Sequence, residues 1–119
     1  MIGHHLTRLI HIPGTLAANI TVTLSMPQDC RLVRVSAVAS NNSDATLMIG
    51  VSTDTDSIMA ATAIGDSAVP VIFDRDDWAA TNANAVLSAG DILVLTLDFD
   101  GAAGTAAQNV TIDLDFLEG

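Results

Sequence analysis

Hydrophobic and polar residues alternate most regularly near the end of the chain, over residues 109–117. The apolar members of this segment all fall on one side of an extended backbone: Val110, Ile112, Leu114 and Phe116. Residues 92–100 alternate in the same way. A period of two is typical of a strand with one buried face, so the two segments predict an antiparallel hairpin with one dry and one acidic face. The dry face predicts a second sheet that covers it.

Six further segments have strand-like patterns. They are residues 6–12, 19–25, 30–40, 45–51, 69–73 and 85–88. We expect residues 30–40 and 45–51 to pair as a second hairpin, because a cluster of turn-forming residues separates them. Pro13 and Gly14 predict a turn after the first strand, since proline fixes its φ angle and glycine accepts a positive one.

Residues 52–68 are different, because they lack strand alternation. At this length they predict a long connection, with one helical turn at residues 57–61, and long connections often carry contacts with other molecules. Residues 74–80 predict a turn or a single-turn helix. The pattern as a whole predicts an all-β chain of about eight strands, folded as one antiparallel β-sandwich over residues 1–119 with residues 1–12 as an N-terminal strand or arm. A jelly roll is the first expectation, and an immunoglobulin-like Greek key is the alternative.

Charge narrows the possible partners. The chain has 14 acidic residues, no lysine and four arginines, which gives a net charge of −10. A chain with this charge repels phosphate backbones and anionic lipids, so we expect no nucleic-acid and no membrane partner. Alternation places Arg31 and Arg34 on opposite faces of one strand, where each is expected to pair with a carboxylate.

Two acidic clusters are candidate metal ligands. The first is Asp54 with Asp56, and the second is Asp74, Asp76 and Asp77. Carboxylates in loops are typical calcium ligands, but the spacing here departs from the EF-hand pattern. We therefore expect solvated surfaces and turn caps at these positions, and no cofactor.

Catalytic chemistry is not indicated. The three histidines, His4, His5 and His11, all lie in the first dozen residues, and Cys30 is the only cysteine. A single cysteine excludes an intrachain disulfide, and nothing in the sequence places Cys30 beside a histidine as an activated nucleophile. We expect a protein that is not an enzyme. Trp78 is interpreted as an anchor in the core or between subunits.

Three segments, together with a composition rich in Ala, Thr, Ser and Asn, give the chain a family resemblance. They are Leu87-Ser-Ala-Gly-Asp-Ile-Leu93, Ala63-Ile-Gly-Asp-Ser-Ala-Val-Pro70 and Asn109-Val-Thr-Ile-Asp-Leu114. In these features the chain resembles the small decoration, or head-stabilising, proteins of tailed-virus capsids. The resemblance implies a small jelly-roll sandwich, usually a homotrimer, that binds the outer capsid surface and bridges neighbouring subunits of the major capsid protein. It carries no catalytic motif and no residue role.

These observations together predict a structural protein at the exterior of a virion. The expected partner contacts lie in the N-terminal segment, in residues 52–68 and at the single tryptophan: Leu6, Arg8, Ile10, Ile58, Met59 and Trp78. The alternative is a calcium- or glycan-binding sandwich from a fibre, an adhesin or an extracellular enzyme.

A thermal melt separates the two functions. We expect the same melting temperature in calcium and in a chelator, because a protein without a calcium site gains nothing from the ion. A ligand that binds only the folded state raises the melting temperature, so a rise in calcium would favour the alternative.

Overall fold

The computed structural model describes residues 5–118, which form two antiparallel sheets. Nine strands make up the sheets, together with two short 3-10 turns at Arg75–Asp77 and Ala80–Asn82. The strands are β1 (His5–Thr15), β2 (Ile20–Ser25), β3 (Cys30–Val38), β4 (Thr46–Val51), β5 (Asp54–Ala63), β6 (Val71–Phe73), β7 (Val86–Leu87), β8 (Ile92–Asp98) and β9 (Gln108–Glu118). The expectation of an all-β chain is confirmed, with one strand more than the approximate count.

The strands pair in a nested order. The first sheet has the order β1-β9-β3-β6, with the short β7 also pairing with β3, and the second sheet has the order β2-β8-β4-β5. The first strand therefore pairs with the last, β2 with β8, β3 with β6, and β4 with β5. Such nesting, split between two facing sheets, is the topology of a jelly roll, and it confirms this fold over the immunoglobulin-like alternative.

The core lies between the two sheets. Strand β9 contributes Leu114 and Phe116 to it, and β8 contributes Leu93, Leu95 and Leu97, all at most 2% exposed. No polar or charged residue is buried within residues 5–118. The alternation therefore divides the strands as expected, with apolar side chains inside and threonine and aspartate outside.

Both predicted hairpins are wrong. Strands β8 and β9 lie in different sheets, as do β3 and β4. The connection between β8 and β9 crosses from one sheet to the other and is held at its far end by Asn41. The Asn41 side chain donates a hydrogen bond to the Ala106 carbonyl at 2.9 Å and accepts one from the Gln108 amide at 3.0 Å. The dry faces of β8 and β9 consequently face each other across the core.

Residues 54–63 form strand β5, so the predicted loop with a helical turn is also wrong. The pairing between β4 and β5 shifts register between Leu47 and Ile49 and again between Ile49 and Val51. Ile58 and Met59 are adjacent in sequence, yet both are buried. These irregularities break the period of two and hide the strand from a pattern search.

The predicted turn at Pro13 and Gly14 is a bulge within β1. The strand continues to Thr15, and its register with β9 shifts between Ile12 and Thr15. Gly14 has a φ angle of +81°, a conformation that glycine adopts at little cost. By contrast, the single-turn helix expected at residues 74–80 is confirmed by the 3-10 turn at Arg75–Asp77, which Asp74 caps.

Two leucines test the packing of the sandwich. Leu95 is 1% exposed at the centre of β8, whereas Leu9 is 69% exposed on β1. We expect Leu95→Ala to lower the free energy of unfolding by about 2–5 kcal/mol, because it removes buried methyl groups and leaves a cavity. Leu9→Ala should change it by less than about 0.5 kcal/mol. Urea denaturation measures both values, and equal losses would contradict the placement of the core.

Candidate interaction face

The predicted contacts on β1 occupy the inner side of an edge strand. Leu6 and Ile10 are half-buried and pair with Phe116 and Ile112 of β9. Arg8 is exposed, and with Leu6 and Phe116 it helps to line a groove of about 160 Å³. The residue of β1 that points away from the core and is most available to a partner is Leu9, at 69% exposed.

The other three predicted contacts lie inside the domain. Ile58 is 0% exposed, Met59 is 1% exposed and Trp78 is 6% exposed. Their side chains pack in the core, and Trp78 also borders a surface notch with Arg31 and Arg75. This placement corrects the expectation that Ile58 and Met59 contact a partner, and for Trp78 it agrees with the core anchor.

The outer faces of the two sheets differ in chemistry. The second sheet presents threonines along its outer face: Thr21, Thr23, Thr46 and Thr96. On the outer face of the first sheet, one row of paired residues crosses the four main strands from Leu9 through Asp113 and Ser36 to Ile72. The two ends of this row are apolar and its middle is polar. We call this outer face of β1, β9, β3, β6 and β7 the interaction face.

A β-bulge places both arginines of β3 on the interaction face. Arg31 pairs with Leu117 and Arg34 pairs with Asp115, so Val33 is the extra residue in β3. Because a bulge of one residue shifts the alternation, Arg31 and Arg34 share a face, and the prediction that they lie on opposite faces is wrong. Arg34 donates to Asp115 Oδ2 at 3.2 Å.

A shallow depression of about 350 Å³ surrounds this ion pair. Its lining includes His5, Thr7 and Val33, and the Thr7 hydroxyl donates to Asp115 Oδ1 at 3.2 Å. Further along β9, Asp113 has one covered carboxylate oxygen that accepts no hydrogen bond. The face therefore combines apolar side chains with a partly desolvated polar network, a mixture that is typical of protein contact surfaces.

The two acidic clusters lie on different elements. Asp54 and Asp56 begin β5, at the edge of the second sheet, and both are exposed. Asp74 and Asp77 cap the 3-10 turn: the Asp76 amide donates to Asp74 Oδ1 at 3.0 Å and the Asp74 amide donates to Asp77 Oδ2 at 2.9 Å. Across residues 5–118, no three His, Cys, Asp or Glu side chains are grouped as a metal site.

Cys30, the only cysteine and hence the only possible thiol nucleophile, is a buried packing residue. Cys30 is 3% exposed, and its thiol lies 3.8 Å from the sulfur of Met26. Burial, and then the negative charges of Asp29 and Asp91, raise the pKa of the Cys30 thiol, which suppresses the reactive thiolate. His11 shares a hydrogen bond of 2.9 Å with the Thr111 hydroxyl on the interaction face, and His4 lies outside the described residues.

Pattern reasoning missed the exposed apolar residues of the first sheet. They are Leu9, Val69, Val71, Ile72 and Val86. Leu9 is the exception, because alternation places it with Thr7 and His11 on the second face of β1 and makes that face partly apolar. Alternation does not identify Val71 and Val86, which begin β6 and β7, because strands of two or three residues show no periodicity.

Comparison with known proteins finds similarity at the level of the fold. No protein-family model matches the sequence, and no curated protein matches it. Among solved structures, a chain of the cyanophage Pam1 capsid asymmetric unit is similar over 99% of this chain and 87% of that chain, with a TM-score of 0.59 and 11% identity. A chain of the capsid of Ralstonia phage GP4 is similar over 100% of this chain and 87% of that chain, with a TM-score of 0.61 and 16% identity. The jelly roll is thus a fold that this chain shares with components of two phage capsids. No helix of the described residues is long and apolar enough to cross a membrane.

The burial of Cys30 predicts its reactivity. We expect the native protein to resist labelling by a thiol reagent such as DTNB and to react fully in denaturant, because both the access and the ionisation of the thiol are suppressed. Thr23→Cys, on an exposed position of β2, is the control and should label at once. Rapid labelling of Cys30 in the native protein would show that this end of the core is open.

The pair Asp54 and Asp56 predicts a measurable titration. Protonated Asp56 donates a hydrogen bond to the Asp54 carboxylate, and this bond, followed by charge repulsion from Asp54, raises the pKa of Asp56. Asp54→Asn should therefore lower the pKa of Asp56 towards its ordinary value, as followed by carboxyl-carbon NMR. Because the pKa is raised, the folded state favours protonated Asp56, and this preference is lost as the pH rises through the folded-state pKa. An unchanged pKa in the variant would show that the two groups do not interact.

Proposed function

We propose that this protein is a structural component of a tailed-phage virion, which binds the outer surface of the capsid as a homotrimer and bridges neighbouring subunits of the major capsid protein. The observation that carries the proposal is the nested two-sheet topology, which aligns over 99–100% of the chain with chains from two phage capsids. A role outside catalysis is consistent with Cys30, whose thiol is buried and whose pKa is raised.

The surface supports binding to protein. The interaction face combines exposed leucine, isoleucine and valine with arginines, and arginine is enriched in protein interfaces. The net charge of −10 argues against a nucleic-acid partner. We assign the capsid contact to β1, because it is an edge strand that carries Arg8 and the exposed Leu9. The sequence also predicts partner contacts in this N-terminal segment.

Capsid binding is tested by co-sedimentation. Capsids assembled from the major capsid protein of the same genome are mixed with the purified chain and centrifuged through a sucrose gradient. We expect saturable binding at a fixed ratio to capsid subunits, and a higher temperature of capsid disruption in the presence of the chain, because a bound bridge stabilises the shell. A chain that stays at the top of the gradient at every concentration would refute the proposal.

Leu9→Asp is the sharper test of the β1 contact. Removal of residues 1–12 is unsuitable, because it removes all but the last of the backbone pairs between β1 and β9. A charge at the exposed Leu9 leaves the core intact but must be desolvated in the complex, so we expect binding to weaken by at least about tenfold. Thr23→Asp, on the edge strand β2 of the second sheet, is the matched control and should bind as the unmodified chain does. Equal binding by both variants would exclude β1 as the contact.

A further inference from the structure

The free edge of the first sheet collects most of the exposed apolar residues. Strands β6 and β7 each pair with a different part of β3, and together they form what we call the β6–β7 edge. Three of the five large hydrophobic side chains exposed within residues 5–118 belong to it: Val86 at 64%, Ile72 at 42% and Val71 at 38% exposed. A fourth, Val69, is 69% exposed and lies two residues before β6. The strands contain only three and two residues, so a partner at this edge binds side chains and not an extended backbone.

A notch of about 170 Å³ lies beside this edge, and arginines and a tryptophan line it. Arg31 reaches it from β3, Arg75 from the 3-10 turn, and Trp78 borders it. Both arginines are exposed, and neither forms an ion pair or a side-chain hydrogen bond with any residue from 5 to 118. Of the acidic neighbours of Arg75, Asp74 and Asp77 direct a carboxylate oxygen at backbone amides.

Two unpaired guanidinium groups in one notch are suited to carboxylates, which they bind through paired hydrogen bonds. The rest of the chain supplies such groups, because it has 14 acidic residues against four arginines. Asp54 and Asp56 supply two carboxylates from one strand, which matches the two guanidinium groups of the notch. Both are exposed on β5, which is an edge strand of the second sheet, so a neighbouring copy can reach them.

We propose that the β6–β7 edge is a contact between copies of this chain, in which the Arg31–Arg75 notch of one copy receives Asp54 and Asp56 of the next. The contact joins two different surfaces, so it is head-to-tail and forms a ring where the rotation closes. The valines and Ile72 of the edge provide the apolar part of the contact, and the charge pairs fix its register. The inference deepens the oligomeric part of the proposed function and rests on it.

A charge swap tests the contact at constant net charge. Arg31→Asp/Arg75→Asp reverses the notch, and Asp54→Arg/Asp56→Arg reverses the acidic pair. The variant with all four changes keeps the net charge at −10. As a control for total charge, Ala18→Asp/Thr21→Asp/Thr23→Asp/Ser25→Asp lowers the charge as much as the reversed notch does, at exposed positions elsewhere. Sedimentation velocity measures self-association, and thermal melts show that each variant is folded.

The expected result is a defined oligomer for the unmodified chain and for the charge control. Each two-residue reversal should weaken self-association by at least about tenfold, and the four-residue swap should restore it. The inference is wrong if the unmodified chain is a monomer, or if the variant with both arginines reversed still associates. It is also wrong if the charge control dissociates, or if the four-residue variant is folded but stays monomeric.

Co-sedimentation of the same variants with capsids separates this inference from the proposed function. If the four-residue swap restores self-association but the unmodified chain does not bind capsids, the contact between copies is retained and the capsid role is refuted. If the unmodified chain binds capsids but the charge reversals leave its self-association unchanged, the capsid role is retained and the proposed contact is refuted.

Discussion

The apolar faces of two sheets must be buried against each other, and the rest of the structure depends on this constraint. Strand β8 presents Leu95 and β9 presents Leu114 to the same core, at 1% and 0% exposed. If the sheets separated, the inner apolar face of each would lie in water, which is unfavourable. The only cysteine is a free thiol, so packing and not a cross-link holds the layers together. The strands meet this constraint by nested pairing, in which β1 pairs with β9 in one layer and β2 pairs with β8 in the other.

Alternation in the sequence was sufficient for the fold class but not for the pairing. A period of two shows which side of a strand is buried, and it gave the inner residues of β8 and β9 correctly. It does not show whether two consecutive strands lie side by side or face each other, because both arrangements bury the same residues. Here the deciding contacts are made by Asn41, whose side chain holds the crossing connection at Ala106 and Gln108. Those contacts are separated by more than sixty positions in sequence, and no local pattern reveals them.

The candidate face was harder to predict, for a related physical reason. A single extra residue in a strand moves every following side chain to the other face. Val33 is such a residue, and it brings Arg31 and Arg34 together although the uninterrupted pattern separates them. The adjacent Ile58 and Met59 were expected at the surface and are buried, because the bulged pairing of β4 with β5 lets both point inwards. Regular segments such as β9 were therefore read correctly, while the bulged ones, which shape the surface, were not.

The acidic surface gives the few arginines their importance. Copies of a chain with a net charge of −10 repel each other at long range, but salt at physiological strength screens this repulsion beyond about 8 Å. Association then depends on local complementarity, and Arg34 contributes little because Asp115 already pairs with it. Arg31 and Arg75 retain unpaired charge beside the exposed Val86 and Ile72. Repulsion between copies therefore opposes non-specific aggregation through the exposed valines. It also favours lasting contact only at surfaces where an arginine meets a carboxylate.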